Sequence, residues 1–262
     1  LLYCDVDTDI TFEEIRNKHN AVMIATGVYK SRDLQGPGSG AGGIVRAIDY
    51  LTASNRVGFG DSVPEYDSGE LNATSKRIVV VGGGDTAMDC VRTAIRQGAK
   101  SVTCLYRRDR ENMPGSQREV ANAEEEGVKF EWLSAPIGFA GDPVTSVKVQ
   151  KMRLGAPDAT GRQSPEPIEG AEHDEPADLV IKALGFEAED LPTLWGQKEL
   201  EVTRWGTVKA EFTTGQTAME GVYAVGDIVR GASLVVWAIR DGRDSAAAIL
   251  DYLGDAQAVA AE

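Results

Sequence analysis

The segment Arg-Ile-Val-Val-Val-Gly-Gly-Gly-Asp-Thr-Ala-Met-Asp-Cys at residues 77–90 restricts the fold more than any other stretch of this chain. Ile78, Val79, Val80 and Val81 form an unbroken β-branched run, the composition of a strand buried on both faces of a parallel sheet. Three glycines then turn the chain, and Met88, Val91, Ala94 and Ile95 recur at the spacing of one helical face. Gly82-x-Gly84-x-x-Ala87 is therefore a dinucleotide fingerprint in a strand–turn–helix setting. Its glycines let the backbone approach a pyrophosphate, and the helix start offers free N–H groups and partial positive charge. The bare pattern recurs at 38–43 (Gly-Ser-Gly-Ala-Gly-Gly), but there it follows Gln35-Gly36-Pro37 and no strand, so it reads as a flexible loop.

Gly98 stops the fingerprint helix, and the apolar run at 101–106 is the next strand. Its carboxyl end carries Arg107 and Arg108. An acidic residue at that point of the fold grips the ribose 2′-hydroxyl of NAD; two guanidinium forks suit the 2′-phosphate of NADP instead.

Composition narrows the alternatives. The 262 residues, 42% of them hydrophobic, suffice for one large or two small domains with a packed core. No apolar run approaches the roughly 20 residues of a membrane span, and the start carries Asp5, Asp7 and Asp9 where a signal peptide is basic and then apolar. A cytoplasmic location is expected. The formal net charge of -14 repels nucleic acid and anionic lipid, so an anionic ligand needs a local basic patch, for which Arg107, Arg108 and Arg110 are the candidates. Cys4, Cys90 and Cys104 show no C-x-x-C spacing, which argues against a disulfide framework or an iron–sulfur cluster held by this chain alone. Cys90 and Cys104 read as small buried thiols. His19 and His173 lie far apart and read as exposed or helix-end side chains, so no metal site is expected. No Ser/His/Asp triad is visible, and no general acid or base is assigned. The chain opens on Leu1, not Met, which suggests a fragment.

In chain order, Thr11 with Glu14 predicts a capped short helix, and residues 21–25 a buried strand ended by Thr26-Gly27. Residues 30–43 read as a connector, 44–53 as a helix with Ile44, Ile48 and Leu51 on one side, and 58–75 as a surface loop. Met113-Pro114-Gly115 turns the chain; Ser116 caps a helix to Glu126, with Glu119 completing a capping box and residues 124–126 a solvated acidic face. Residues 129–133 and 144–154 alternate as strands, and 156–176 reads as a polar loop rich in Pro and Glu. Residues 177–185 form a strand ending in Ala183-Leu184-Gly185, an echo of Ala25-Thr26-Gly27. A hairpin around Gly206 follows, then a strand at 221–227 delivering Asp227 at a tight turn, and a helix over 234–253 whose amino end could face an anionic or electron-rich ligand edge.

Several stretches together resemble the two-dinucleotide-binding flavoprotein superfamily, and within it the small (β) subunit family of bacterial NADPH-dependent glutamate synthases. They are Ala-Thr-Gly at 25–27, residues 81–90, Leu-Tyr-Arg-Arg-Asp at 105–109, Asn-Met-Pro-Gly-Ser-Gln-Arg-Glu at 112–119, Lys-Ala-Leu-Gly-Phe at 182–186, and the long run 225–243. The resemblance implies an α/β fold: a Rossmann-like three-layer NADPH-binding domain inserted into a split, here truncated, FAD-binding domain. Residues 1–35 would end the first FAD half, 36–202 would be the NADPH-binding domain with its linker, and 203–262 the second FAD half.

The resemblance also implies site residues. Gly82, Gly84, Asp85, Thr86 and Ala87 would contact the dinucleotide, Arg107 and Arg108 its 2′-phosphate, and Ala183, Leu184 and Gly185 would line its nicotinamide side. Ala25, Thr26, Gly27, Gly226 and Asp227 would serve FAD, with Asp227 on the ribityl chain. Ser233, Leu234 and Val235, at the helix start, would lie against the flavin pyrimidine. The implied activity is hydride transfer from NADPH to FAD, then electron flow through iron–sulfur centres to the large (α) subunit, where glutamine and 2-oxoglutarate yield glutamate. The family's amino-terminal FAD fingerprint and its cysteine-rich cluster region are absent from this chain, so its FAD site is expected to be incomplete. The reductase part of a dihydropyrimidine dehydrogenase, or a ferredoxin:NADP oxidoreductase, would share most of these motifs. A non-catalytic NADPH-binding module is the reading from another class.

Overall fold

In the computed structural model, which describes residues 4–159 and 161–259, the chain leaves one folding unit and later returns to it. Residues 1–30 and 186–262 form the first unit, and residues 31–185 the second. The first begins with α1 (Phe12–Lys18) and β1 (Val22–Ile24). Thr11 caps α1: its Oγ1 accepts the Glu14 N–H at 3.1 Å while Glu14 Oε2 accepts the Thr11 N–H at 2.9 Å. Leu1, where the chain opens, lies outside the described residues.

After β2 (Lys30–Ser31) come β3 (Ile44–Arg46), α2 (Ala47–Gly58), α3 (Pro64–Asp67), β4 (Arg77–Val81), α4 (Asp85–Arg96), β5 (Ser101–Tyr106), α5 (Gln117–Glu125) and β6 (Lys129–Trp132). Then follow β7 (Ser134–Ala140), β8 (Ser146–Pro157), β9 (Gln163–Pro176) and β10 (Leu179–Lys182). In the second unit five strands form one parallel sheet in the order β3-β10-β4-β5-β6. The β-branched run of β4 explains itself here. Ile78 and Val80 pack with Met88 and Val91 of α4 on the helical face, whereas Val79 and Val81 pack with Val147 and Val149 of β8 on the other. Each such burial is worth about 1.5–3 kcal/mol, which a polar residue at any of the four positions would forfeit. The second covering layer is the antiparallel sheet β7-β8-β9, so the unit has three layers: helices, parallel sheet, antiparallel sheet. The fold class is the α/β three-layer one expected.

The chain then runs through β11 (Phe186–Glu187), α6 (Leu191–Leu194), β12 (Val222–Ala224), α7 (Asp227–Arg230) and α8 (Val235–Val259). In the first unit β1 and β12 pair in parallel, Val22 with Val222 through Ile24 with Ala224. Phe12 stacks on Trp195 with ring centroids 4.9 Å apart, beside Ile24, Leu200 and Ile228. The hairpin around Gly206 is a single bridge, Val202 to Val208. Among the described residues no helix is long and apolar enough to cross a membrane.

Several local expectations are corrected. Ile44–Arg46 is a strand and the helix starts only at Ala47, because Ile44 and Val45 pair with Val180 and Ile181 of β10. The stretch 58–75 contains the helical turn α3, begun by Pro64 at its first position. Residues 163–176, read as loop, form the longest strand of the antiparallel sheet, paired with β8. No side-chain bond caps α5 at Ser116; Glu119 is held by Arg92 of α4 instead, so the capping box does not form. Of the acidic residues at the end of α5, Glu124 and Glu125 are exposed, as a solvated face requires, with Glu124 paired to Arg110; Glu126 is half-buried and held by Arg92 and Arg96. His19 ends α1, as expected of a helix-end histidine, but His173 lies inside β9 with its ring 3.1 Å from Glu131.

Candidate dinucleotide and flavin sites

The second unit's sheet runs outward from β4 through β5 to β6 on one side, with β10 and β3 on the other. Crevices at such switch points, beyond the carboxyl ends of the strands, are where ligands bind open α/β sheets. Gly82 sits at this point with φ 149°, and a Cβ there would lie 2.1 Å from the Ala183 carbonyl oxygen. The Ala183 N–H donates to the Val81 carbonyl at 2.8 Å. The fold thus brings the fingerprint and the 183–185 stretch side by side. A Cβ on Gly83 would lie 2.4 Å from the Tyr106 ring. Gly84 differs: a Cβ there would meet nothing within 4 Å. Two glycines are required by protein packing, and the third faces open space.

Gly84 is also the N-cap of α4, with φ -92° and ψ 177° and no side-chain cap. Its carbonyl accepts the N–H groups of Ala87 and Met88 at 2.9 and 3.3 Å. Ala87 is buried against the sheet, the close helix packing that the fingerprint's last small residue allows. Thr86 is half-buried and Asp85 exposed. Asp85 Oδ1 accepts the Ser116 N–H at 3.0 Å, and the Gly115 N–H donates to the Gly83 carbonyl at 2.9 Å. The 112–116 loop is thereby laced to the glycine turn.

The two arginines after β5 are not equivalent. Arg107 is exposed and has no hydrogen bond or ion pair among the described residues. Arg108 is half-buried; its Nη2 donates to Asn112 Oδ1 at 2.8 Å and its Nη1 to the Asn112 carbonyl at 3.4 Å. Its Nε is buried without a partner. Arg110 turns away, donating to Glu124 at 2.9 Å and Gln117 at 3.4 Å, so the basic patch reduces to Arg107 and Arg108. Asp109 and Asn112, an Asx-type clasp, went unassigned in the sequence although the spacing is a turn signal.

In the first unit the Val225 N–H donates to the Ile24 carbonyl at 3.0 Å, which sets the 25–27 turn beside Gly226 and Asp227. Gly27 and Gly226 adopt φ 73° and 72°, the left-handed region that favours glycine. Gly185 of the second unit has φ 85°, so the two Ala-x-Gly endings do share a backbone device. Burial raises the Asp227 carboxyl above its usual range, partly offset by the Ser233 backbone N–H. Ser233, Leu234 and Val235 are exposed, as are Val236 and Ile239. Arg230 grips the buried Asp241 through two bonds of 2.6 Å, and Asp241 also accepts the Gly226 N–H at 3.4 Å. This clamp on the Asp227 turn lay unread inside the 225–243 run.

Other reactive groups are quiet. Burial pushes the Cys104 thiol up to about 12 and raises Cys90 as well, so both are protonated at neutral pH. Glu131, His173 and Glu175 converge, but Lys129 and Lys151 already neutralise Glu131.

The chain belongs to the pyridine nucleotide-disulphide oxidoreductase family, whose description matches residues 5–242. It is 71% identical, over all of its own length, to a putative NADPH glutamate synthase small chain of Cereibacter sphaeroides, and 64% identical over 95% of its length to the NADPH glutamate synthase small chain of Azospirillum brasilense. It spans 63% and 52% of those two proteins. Among solved structures, Mycobacterium tuberculosis FprA in complex with NADPH matches 96% of this chain and 67% of its own, with a TM-score of 0.75 and 19% identity. That likeness supports the fold.

Proposed function

We propose that this chain is the hydride-entry portion of an NADPH-dependent flavoprotein oxidoreductase, the small subunit of a glutamate synthase. The second unit, residues 31–185, is assigned as the NADPH-binding domain and the first as the FAD-binding portion, with the boundaries drawn at 30/31 and 185/186 in place of the expected 35/36 and 202/203. The observation that carries the reading is the pairing of a glycine turn open at Gly84 with Arg107 and Arg108 at the end of the next strand. The residues fit the dinucleotide. An uncapped helix start and a side-chain-free surface suit a pyrophosphate, and an Arg107 without a partner among the described residues, beside a half-buried Arg108, suits an added phosphate. Ala183, Leu184 and Gly185 would line the nicotinamide end.

The first unit also fits a flavin. Asp227, flanked by glycine turns, would accept a ribityl hydroxyl, and the exposed apolar start of α8 would cover the pyrimidine edge. When bound, the two cofactors supply the hydride donor and acceptor. The protein's part is to align them and exclude water, which requires no acid–base residue. In the full-length subunit, electrons would continue through iron–sulfur centres to the large subunit, where glutamate is made from glutamine and 2-oxoglutarate. The relatives' names support this assignment, and this chain spans about half to two-thirds of those proteins.

Titration calorimetry with NADPH and NADH tests the reading. NADPH is expected to bind at least about tenfold tighter, from one charge-assisted phosphate contact. Arg107→Ala should shrink that ratio. Equal affinities for the two cofactors would refute the proposal. Capture of the large subunit by the full-length small subunit tests the partner.

A further inference from the structure

We infer that Asn112 is a positioning residue that aims Arg108 and so sets the preference for the phosphorylated dinucleotide; this rests on the phosphate role proposed for Arg107 and Arg108. Asn112 is the hub of the turn after β5. Its side-chain Nδ2 and its backbone N–H both donate to Asp109 Oδ1, at 2.7 and 2.9 Å. Its Oδ1 accepts from Arg108 Nη2 at 2.8 Å. Its backbone carbonyl accepts from Arg108 Nη1 at 3.4 Å and from the Tyr106 hydroxyl at 3.0 Å.

The chemistry leaves the amide one orientation. A carboxylate only accepts and a guanidinium only donates, so turning the amide over would set acceptor against acceptor and donor against donor. Arg108 is held at its other end too: its carbonyl accepts the Leu133 N–H at 2.9 Å. Asn112 takes one N–H from each terminal nitrogen of the fork, and each of those nitrogens keeps another for a ligand. The guanidinium is thus fixed before a phosphate arrives, and the ordering of a long side chain is not charged against binding. Arg107 has no such hold among the described residues. The pair divides the work into an exposed charge and an oriented fork.

Calorimetric titration of this chain with NADPH and NADH, using Asn112→Ala, Arg108→Ala, the double variant and Asn112→Asp, decides the matter. Asn112→Ala should weaken NADPH about tenfold, as loss of a pre-ordered contact does, and leave NADH within about twofold. The double variant should bind NADPH no more weakly than Arg108→Ala alone, because Asn112 acts through Arg108. Asn112→Asp keeps the acceptor toward Arg108, but it replaces the Nδ2 donor to Asp109 with a second carboxylate oxygen and sets a negative charge on the fork. It should lose NADPH preference even if Asn112→Ala folds poorly. Equal weakening of both cofactors, multiplicative losses in the double variant, or intact preference in Asn112→Asp would overturn the inference. If Arg107→Ala and Arg108→Ala both leave the NADPH:NADH ratio unchanged, the phosphate reading itself falls and takes this one with it. If those arginines matter and Asn112 does not, only the positioning role falls.

Discussion

Gly84→Ala should separate folding from binding. At φ -92° and ψ 177° any residue can occupy the position, and the added methyl meets no protein atom within 4 Å. Alanine is a poorer N-cap than glycine by about 1 kcal/mol, and the stiffer unfolded chain returns about 0.4–1 kcal/mol. The fold should therefore change in stability by no more than about 1 kcal/mol. On the proposed reading binding should suffer far more, because the methyl would stand in the open space beside the start of α4 that the pyrophosphate is proposed to fill. Losing two charge-assisted N–H bonds at about 1.5–3 kcal/mol each removes about 3–6 kcal/mol. At about 1.4 kcal/mol per decade, Kd rises at least about a hundredfold. The pyrophosphate is common to both cofactors, so NADPH and NADH should weaken alike, unlike the arginine variants. Urea denaturation and calorimetric titration on one preparation give both quantities. A folded Gly84→Ala chain that binds NADPH within about threefold of the parent would refute a pyrophosphate at this turn.

Gly82→Ala should behave oppositely. Its Cβ would lie 2.1 Å from the Ala183 carbonyl oxygen at φ 149°, so the chain should lose about 3 kcal/mol or more in urea denaturation. A variant as stable as the parent would show that the two strand ends are not in contact. The Arg77–Asp178 pair predicts a pH dependence. Arg77 holds the Asp178 carboxyl down at about 2, against 3.8 for a free side chain. A depressed carboxylate adds stability that is fully present above its unfolded value and fades as pH falls from about 4 toward 2. With the Asp178 side chain 39% exposed, solvent screening keeps this to about 1 kcal/mol or less. The stability gap between parent and Asp178→Asn in urea titrations should shrink over that interval; a constant gap would contradict the assignment.

The second unit's central motif was legible because each of its parts is dictated locally. A strand buried on both faces needs an apolar run, and the turn needs glycines. Apart from α3, which Pro64 begins locally, the misread elements owe their form to partners distant in sequence. Residues 163–176 include Pro165, Pro167 and a string of acids, with little apolar alternation to read. They are a strand because β8 offers a matching edge, Val149 opposite His173 and Leu154 opposite Pro165. Ile44, Ile48 and Leu51 do have helical spacing, but Ile44 sits in a strand that pairs with β10, and no capping side chain at Arg46 marks where the helix begins. Ser116 and Glu119 carry the right residues for a capping box, yet Arg92 outcompetes the backbone for Glu119.

The site shows the same division at finer scale. Arg107 and Arg108 are indistinguishable as a dipeptide at a strand end. One is exposed and without a partner among the described residues; the other is half-buried and clasped by a side chain four positions away. Arg230 and Asp241, separated by a turn and the start of α8, form the corresponding clamp in the first unit, and spacing alone did not pair them. Residue type and position along a motif point to a candidate site, because they follow from the local turn. The roles within it follow from which donors the fold has already satisfied, and that is decided by contacts outside the motif.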